Sequence, residues 1–217
     1  MDNPGSELAE QGLAIAAYPT ASGYRLKALT GMGAEKTSAS GPPQRGDEEP
    51  KDLLSAAVWL LITPDNTCTV ITGKSEMGQG VCTSLPMILA EELRADWEQI
   101  RFRMSPAGRE YKDPDWGVQT TGGSTSVRHM FEPLRKAGAA AREMLMKTAA
   151  RRWKVHLKEC EAAGGSVRNR RTGQKLSYGE LAIEASALPV PRNPSIRGKE
   201  TRLIGTALPR LDIPEKV

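Results

Sequence analysis

Histidine, phenylalanine and cysteine are scarce in this chain, with two, two and three copies among 217 residues. Two histidines, His129 and His156, are too few for a histidine-built metal centre. The cysteines, Cys68, Cys82 and Cys160, are odd in number and lack CxxC spacing. That pattern supports neither a disulfide framework nor a zinc site, and it predicts free, partly buried thiols in a reducing compartment. Aromatics make up only 5%, so the core must rest on Leu, Val, Ile, Met and Ala. Long apolar runs are also missing: the longest, "LLSAAVWLLI", is half the length of a membrane span. The first residues, "MDNPGSELAEQG", have no basic region ahead of their short apolar stretch, which argues against a signal peptide. The expectation is a cytoplasmic chain, or a periplasmic one if a partner carries it across. A net charge of +4 with 26% charged residues is a modest basic excess. It suits an anionic ligand or an acidic protein face and does not indicate nucleic acid.

Residues 1–50 are rich in Gly, Ser, Pro and charge, and hold neither a strand nor a helix period. They read as a largely disordered or loosely attached segment ahead of a folded domain over 51–217. "TGMGAEKT" within them lacks the spacing of a phosphate loop. From Ala57, "AVWLLITPDNTCTVITG" predicts two strands around a Pro-Asp-Asn turn. "TSLPMILAEEL" places Leu85, Ile88, Leu89 and Leu93 on one helical face, with Thr83 or Ser84 as cap and Pro86 in the first turn. "IRFRM" alternates as a half-buried strand does.

The longest helix is predicted over 125–153, with Val127, Phe131, Leu134, Ala137 or Gly138, Ala141 and Leu145 inward. Pro133 offsets its first turns, and the small run "AGAA" predicts a close backbone neighbour. "GGSVRNRRTGQKLSYGELAIEA" reads as a hairpin and a short helix, Ser177 and Glu180 forming a capping box. "LIGTALPRLDIPEKV" is extended and proline-punctuated. The sum is an α+β chain, or a layered α/β one, of strand–glycine loop–helix units with β-hairpins.

Two glycine loops lead into helices: "EMGQG", residues 76–80, and "TTGGSTS", residues 120–126. Helix N-termini offer unsatisfied N–H groups, and glycines let a ligand approach the backbone. The hydroxyls of Thr121, Ser124, Thr125 and Ser126 add donors, and the Gln79 amide both donates and accepts. Each loop taken alone reads equally well as a turn and a helix cap.

Four long stretches carry a resemblance: "VWLLITPDNTCTVITGKSEMGQGVCTSLPMILAEEL", "GVQTTGGSTSVRHMFEPLRKAGAAAREML", "LSYGELAIEASALPVP" and "RLIGTALPRLDIPEKV". Together, from about Ala57 to Val217, the chain resembles the molybdopterin-binding subunit of the xanthine dehydrogenase and aldehyde oxidase family, of the isoquinoline 1-oxidoreductase beta-subunit type. The resemblance implies a molybdopterin-binding-domain-like fold and a molybdopterin-type molybdenum cofactor. It implies hydroxylation of aldehydes or N-heterocycles with water-derived oxygen, and [2Fe–2S] clusters on a small partner subunit rather than on this chain. It gives a cofactor-binding role to Gly78, Gln79 and Gly80, and to Gly122, Gly123, Ser124 and Thr125. The family's subunit runs several hundred residues further and carries its essential glutamate near the far end. No residue here matches that glutamate, so neither Glu76 nor any other acid is assigned as a base, and no metal ligand is assigned. The chain is expected to be a portion of a large subunit that needs the remaining polypeptide.

Two other readings stay open: a non-catalytic fragment or interaction module, and a stand-alone anion or nucleotide binder using the same loops. Arg168, Arg170 and Arg171 lie in a basic run without interleaved aromatics and read as a solvated face. Trp59, Trp97, Trp116 and Trp153 read as partial-core anchors, and His129 as a surface or capping residue without an acidic partner.

Overall fold

Ala57–Ile62 and Cys68–Thr72 form strands β3 and β4 of the computed structural model, antiparallel with Leu60 opposite Val70. The turn between them follows from its residue types. Asp65 accepts the Thr67 N–H through its carboxylate, and Asn66 takes φ 69°, a left-handed value that asparagine tolerates. The structure describes residues 13–20, 23–29, 57–108, 111–113, 115–198 and 201–213. "TGMGAEKT" and the final four residues lie outside them.

Leu13–Thr20 and Gly23–Leu29 form β1 and β2, and Ile100–Met104 forms β5. The strand order is β2-β1-β3-β4-β5. All neighbours are antiparallel except β4 and β5, which run parallel with Thr72 opposite Met104. The expectation of no regular structure in 1–50 is therefore corrected for 13–20 and 23–29. Leu13 and Ile15 are fully buried, and β1 pairs with β3 across 40 to 49 residues of sequence. Short strands with so distant a partner vanish when glycine, serine and proline around them are averaged together.

Val81–Leu93 is helix α1, Thr125–Trp153 helix α2 and Tyr178–Ser186 helix α3. A second, antiparallel sheet holds β6 (Cys160–Ala163), β7 (Ser166–Asn169) and β8 (Lys175–Ser177). Leu85, Ile88, Leu89 and Leu93 are buried, as their spacing predicts. The α2 face holds from Leu134 to Leu145, but Val127 and Phe131 are 44% and 37% exposed and Met130 is buried instead. The stripe thus swings round in the turns ahead of Pro133. A Cβ on Gly138 would lie 2.4 Å from the Leu89 carbonyl oxygen, so α1 and α2 touch backbone to side-chain-free backbone there. The Ser177–Glu180 capping box is present. At α1 the expected Thr83 or Ser84 cap is absent: the helix begins earlier, after Gly80 at φ 79°, without a side-chain cap on its N-cap residue.

The Asn66 side chain joins the two sheets. It donates to Gln99 Oε1 and to the Gly165 carbonyl, and accepts the Gly179 N–H. Tyr178, fully buried, donates its hydroxyl to the Leu93 carbonyl. Cys68, Cys82 and Cys160 are free and buried. Among the described residues no helix is long and apolar enough to cross a membrane.

Candidate cofactor site

The parallel pairing of β4 and β5 decides where the two glycine loops lie. Parallel strands end on the same side of a sheet, so the loop from Gly73 into α1 and the loop from Ser105 into α2 leave side by side. They are fastened to each other. The Ser75 N–H donates to Thr121 Oγ1 at 2.8 Å, and Lys74 Nζ donates to the Thr120 carbonyl at 3.0 Å. Gly73 admits Tyr111 of the second loop so closely that a Cβ would lie 2.8 Å from that of Tyr111.

Beneath this junction Lys74 forms an ion pair with Asp113, both side chains buried. Asp113 also faces His129 Nδ1 at 3.2 Å, while His129 Nε2 lies 2.9 Å from Asp115. His129 is thus not the unpartnered surface residue that the sequence predicts; a fold contact from a loop 16 residues away supplies its acids. Burial raises the Asp113 pKa, but the Lys74 ammonium, the Asp115 N–H and His129 outweigh it and hold it at about 2.

Glu76 organises the first loop. One carboxylate oxygen accepts the N–H groups of Gly78 and Gly80, at 2.8 and 2.9 Å, and the other accepts Cys82 N–H at 3.0 Å. Burial raises this group too, yet the hydrogen bonds from Cys82, Gly80 and Gly78 hold it at about 2. The positive end of α1 is therefore filled from within the chain. Gln79, though exposed, folds back on its own loop: its Oε1 accepts the Met77 N–H at 2.6 Å and its Nε2 donates to the Ser75 carbonyl at 2.8 Å. Cys82 lies underneath; burial, then the Glu76 and Asp212 carboxylates, push its thiol up to about 12.

The outer surface is open. Among the described residues a Cβ on Gly78, Gly80 or Gly122 would meet nothing within 4 Å, and Ser124, the N-cap residue of α2, is left-handed at φ 54° and makes no capping bond. Gly123 has φ 58° and lies against Trp116, which is 54% exposed and no core anchor. Thr125 is turned in, donating its hydroxyl to the Gly122 carbonyl. Thr72, at the end of β4, keeps a buried hydroxyl without a partner among the described residues.

The molybdopterin cofactor-binding domain family matches residues 6–206. The chain belongs to that family. The match begins inside the segment that sequence patterning sets apart, in keeping with the place of β1 in the sheet. The domain is 33% identical over 200 residues to the beta subunit of isoquinoline 1-oxidoreductase from Brevundimonas diminuta, covering 76% of this chain and 26% of that protein. It is 34% identical over 166 residues to a membrane-bound aldehyde dehydrogenase (pyrroloquinoline-quinone) of Gluconacetobacter polyoxogenes, covering 73% and 21%. With a nicotinate dehydrogenase polypeptide of Pseudomonas putida it shares 30% over 182 residues, covering 83% and 15%. The chain thus spans about a quarter or less of the length of these relatives.

Within the domain, sequence patterning missed Glu76 as the loop's anchor and the Lys74–Asp113–His129 cluster. An acid two and four residues before glycines carries a usable signal, because a carboxylate binds N–H groups at those offsets. The cluster carries none, since its members meet only through the parallel pairing of β4 and β5. Both depressed carboxylates are most stabilising above their ordinary values, 4.5 for Glu76 and 3.8 for Asp113. Their contribution is lost as pH falls towards 2, when the folded state must take up the protons. Urea unfolding followed at pH 7 and pH 3 should show a loss that is smaller in Asp113→Asn, which is already weakened at pH 7 and keeps only the Glu76 share.

Proposed function

We propose that this chain is the molybdopterin-holding portion of a molybdenum hydroxylase large subunit, with the loops 76–80 and 120–125 against the cofactor. The observation that carries the reading is the open glycine cradle on two loops bonded to one another. Gly78, Gly80 and Gly122 let a flat polar heterocycle reach the backbone, where any side chain would fill the space. The residues present fit such a group. When bound, the molybdenum cofactor supplies the redox chemistry that takes electrons from substrate.

This chain's own residues bind and orient. Glu76 and Gln79 fix the first loop's shape, and Lys74 and Thr121 hold the second against it. Glu76 is not placed to act as a base, because three N–H groups and the Arg210 guanidinium already occupy its carboxylate. The filled terminus of α1 likewise speaks against a stand-alone anion binder.

Aldehydes or N-heterocycles are the proposed substrates, from the names of the relatives. The proposed partners are the remaining large-subunit polypeptide and a small subunit with [2Fe–2S] clusters, in the cytoplasm or carried to the periplasm. The test is molybdenum and pterin analysis of the protein purified with its co-expressed subunits. Molybdenum and pterin in equal amounts are expected. Their absence, or pyrroloquinoline quinone in their place, overturns the reading.

Gln79→Ala removes bonds to Met77 and Ser75 and should lower bound molybdenum about tenfold. Gly122→Val is the cleaner steric probe. Its side chain enters open space without backbone strain, whereas Gly123→Val meets Trp116 at 3.1 Å and needs φ 58°. Gly122→Val should abolish cofactor retention while leaving the unfolding midpoint unchanged.

A further inference from the structure

The stretch after α3 runs back along α1. Near one end of that helix, Glu91 Oε2 accepts three successive N–H groups, from Arg202, Leu203 and Ile204, at 2.8, 2.6 and 3.1 Å. Arg202 adds a hydrogen bond to the Ala95 carbonyl, and Leu203 is buried. Near the other end, the Leu211 N–H donates to Thr83 Oγ1 at 3.0 Å. Residues 201–213 are thus fixed at both ends of α1 although they contain neither helix nor strand.

The second attachment delivers Arg210 to the first glycine loop. Its guanidinium donates to the Gly78 carbonyl from Nη1 at 3.1 Å and to Glu76 Oε1 from Nη2 at 3.1 Å. Asp212 aligns it with a two-point bond, Nε to Oδ1 at 2.9 Å and Nη2 to Oδ2 at 2.8 Å. A planar guanidinium makes these four bonds to two carboxylates and a carbonyl at fixed angles; an ammonium has only three donors, all on one nitrogen. Glu76 in turn holds Gly78, Gly80 and Cys82 by their N–H groups. One arginine therefore grips the loop twice, through the backbone and through the carboxylate that organises it.

We propose that Arg210 is a positioning residue for the cofactor site, latching the 76–80 loop into its open cradle through Glu76 and the Gly78 carbonyl. The proposal rests on the cofactor reading above for its purpose, and on the contacts alone for the latch. It makes the 201–213 strap part of the site's framework: the strap sets loop shape without touching the cofactor's open face.

Two measurements on the protein purified with its subunits test it. The first is amide hydrogen exchange at Gly78, Gly80 and Cys82. Arg210→Ala should speed exchange there about tenfold while amides of β6 and β7 keep their rates. Arg210→Lys, which keeps the charge and loses the fork, should fall between. Unchanged exchange at the three amides in Arg210→Ala overturns the latch. A rise spread equally over β6 and β7 overturns it too, since that is general destabilisation.

The second measurement is pterin and molybdenum content. The expected result is lower retention in Arg210→Ala, restored in part by Arg210→Lys. Faster loop exchange with full retention overturns the positioning role. Absence of cofactor from the unsubstituted protein overturns the cofactor reading instead, and the exchange result still decides the latch.

Discussion

Gly138→Ala should lower the stability of this protein by about 2 kcal/mol, even though alanine is the better helix former by about 1 kcal/mol. The new Cβ would sit 2.4 Å from the Leu89 carbonyl oxygen and 3.1 Å from both Glu92 Cβ and Leu93 N. None of these is the free end of a flexible side chain, so the two helices must separate. Separation loosens Leu85, Leu89, Leu134, Ala137 and Ala141, which share one core cluster. Gly138→Val adds branches at the same point and should leave the protein unfolded or aggregated at growth temperature. Gly122→Ala is the control, because its Cβ enters open space, and its effect should stay within about 0.5 kcal/mol. Guanidinium unfolding curves of Gly138→Ala and Gly122→Ala make the comparison, and soluble yield reads Gly138→Val. A Gly138→Ala protein as stable as the parent would mean that α1 and α2 do not meet at this glycine.

The close approach at Gly138 was legible as a run of small residues because helix packing leaves a local mark. So were the β3–β4 hairpin, with Pro-Asp-Asn between two apolar runs, and the Ser177–Glu180 box, whose partners lie three residues apart. What depended on distant partners was not legible. β1 and β2 lacked a pattern of their own; β1 is fixed by pairing with β3, and β2 by pairing with β1. Val127 and Phe131 fit the helical stripe by count, but on the turns ahead of Pro133 the inward face has swung to Met130 and leaves them outside. At the candidate site the loops themselves could be read, and the resemblance named Gly78, Gln79, Gly80, Gly122, Gly123, Ser124 and Thr125. Their nearness came only from the parallel pairing of β4 and β5, which no spacing encodes. Arg210 lies 134 residues from Glu76, and its type alone does not distinguish it from other arginines of a basic chain.

Glu92→Ala should cost about 3–5 kcal/mol, the largest loss expected of any single polar substitution here. Its fully buried carboxylate faces two arginines: Arg135 Nε at 2.8 Å on one oxygen and Arg142 Nη1 at 3.2 Å on the other. Arg142 is itself buried and also donates to the carbonyls of Glu92 and Ser195. Removing the carboxylate leaves a guanidinium in an apolar helix interface with carbonyl dipoles but no counter-charge. If the cost is that stranded charge, then Glu92→Met with Arg142→Met should recover most of it, because neither deeply buried charge remains and Arg135, its side chain 21% exposed, can turn to water. A double variant no more stable than Glu92→Ala would instead assign the loss to the backbone bonds. Those bonds matter for the site as well. Glu92 Oε2 accepts the Arg197 N–H at 3.0 Å, and the adjacent Glu91 holds the N–H groups of 202–204. Two consecutive acids of α1 therefore bind the polypeptide that carries Arg210 to the glycine loop. In the double variant, core stability should return while exchange at Gly78 and Gly80 stays faster than in the parent, because methionine cannot accept the Arg197 N–H.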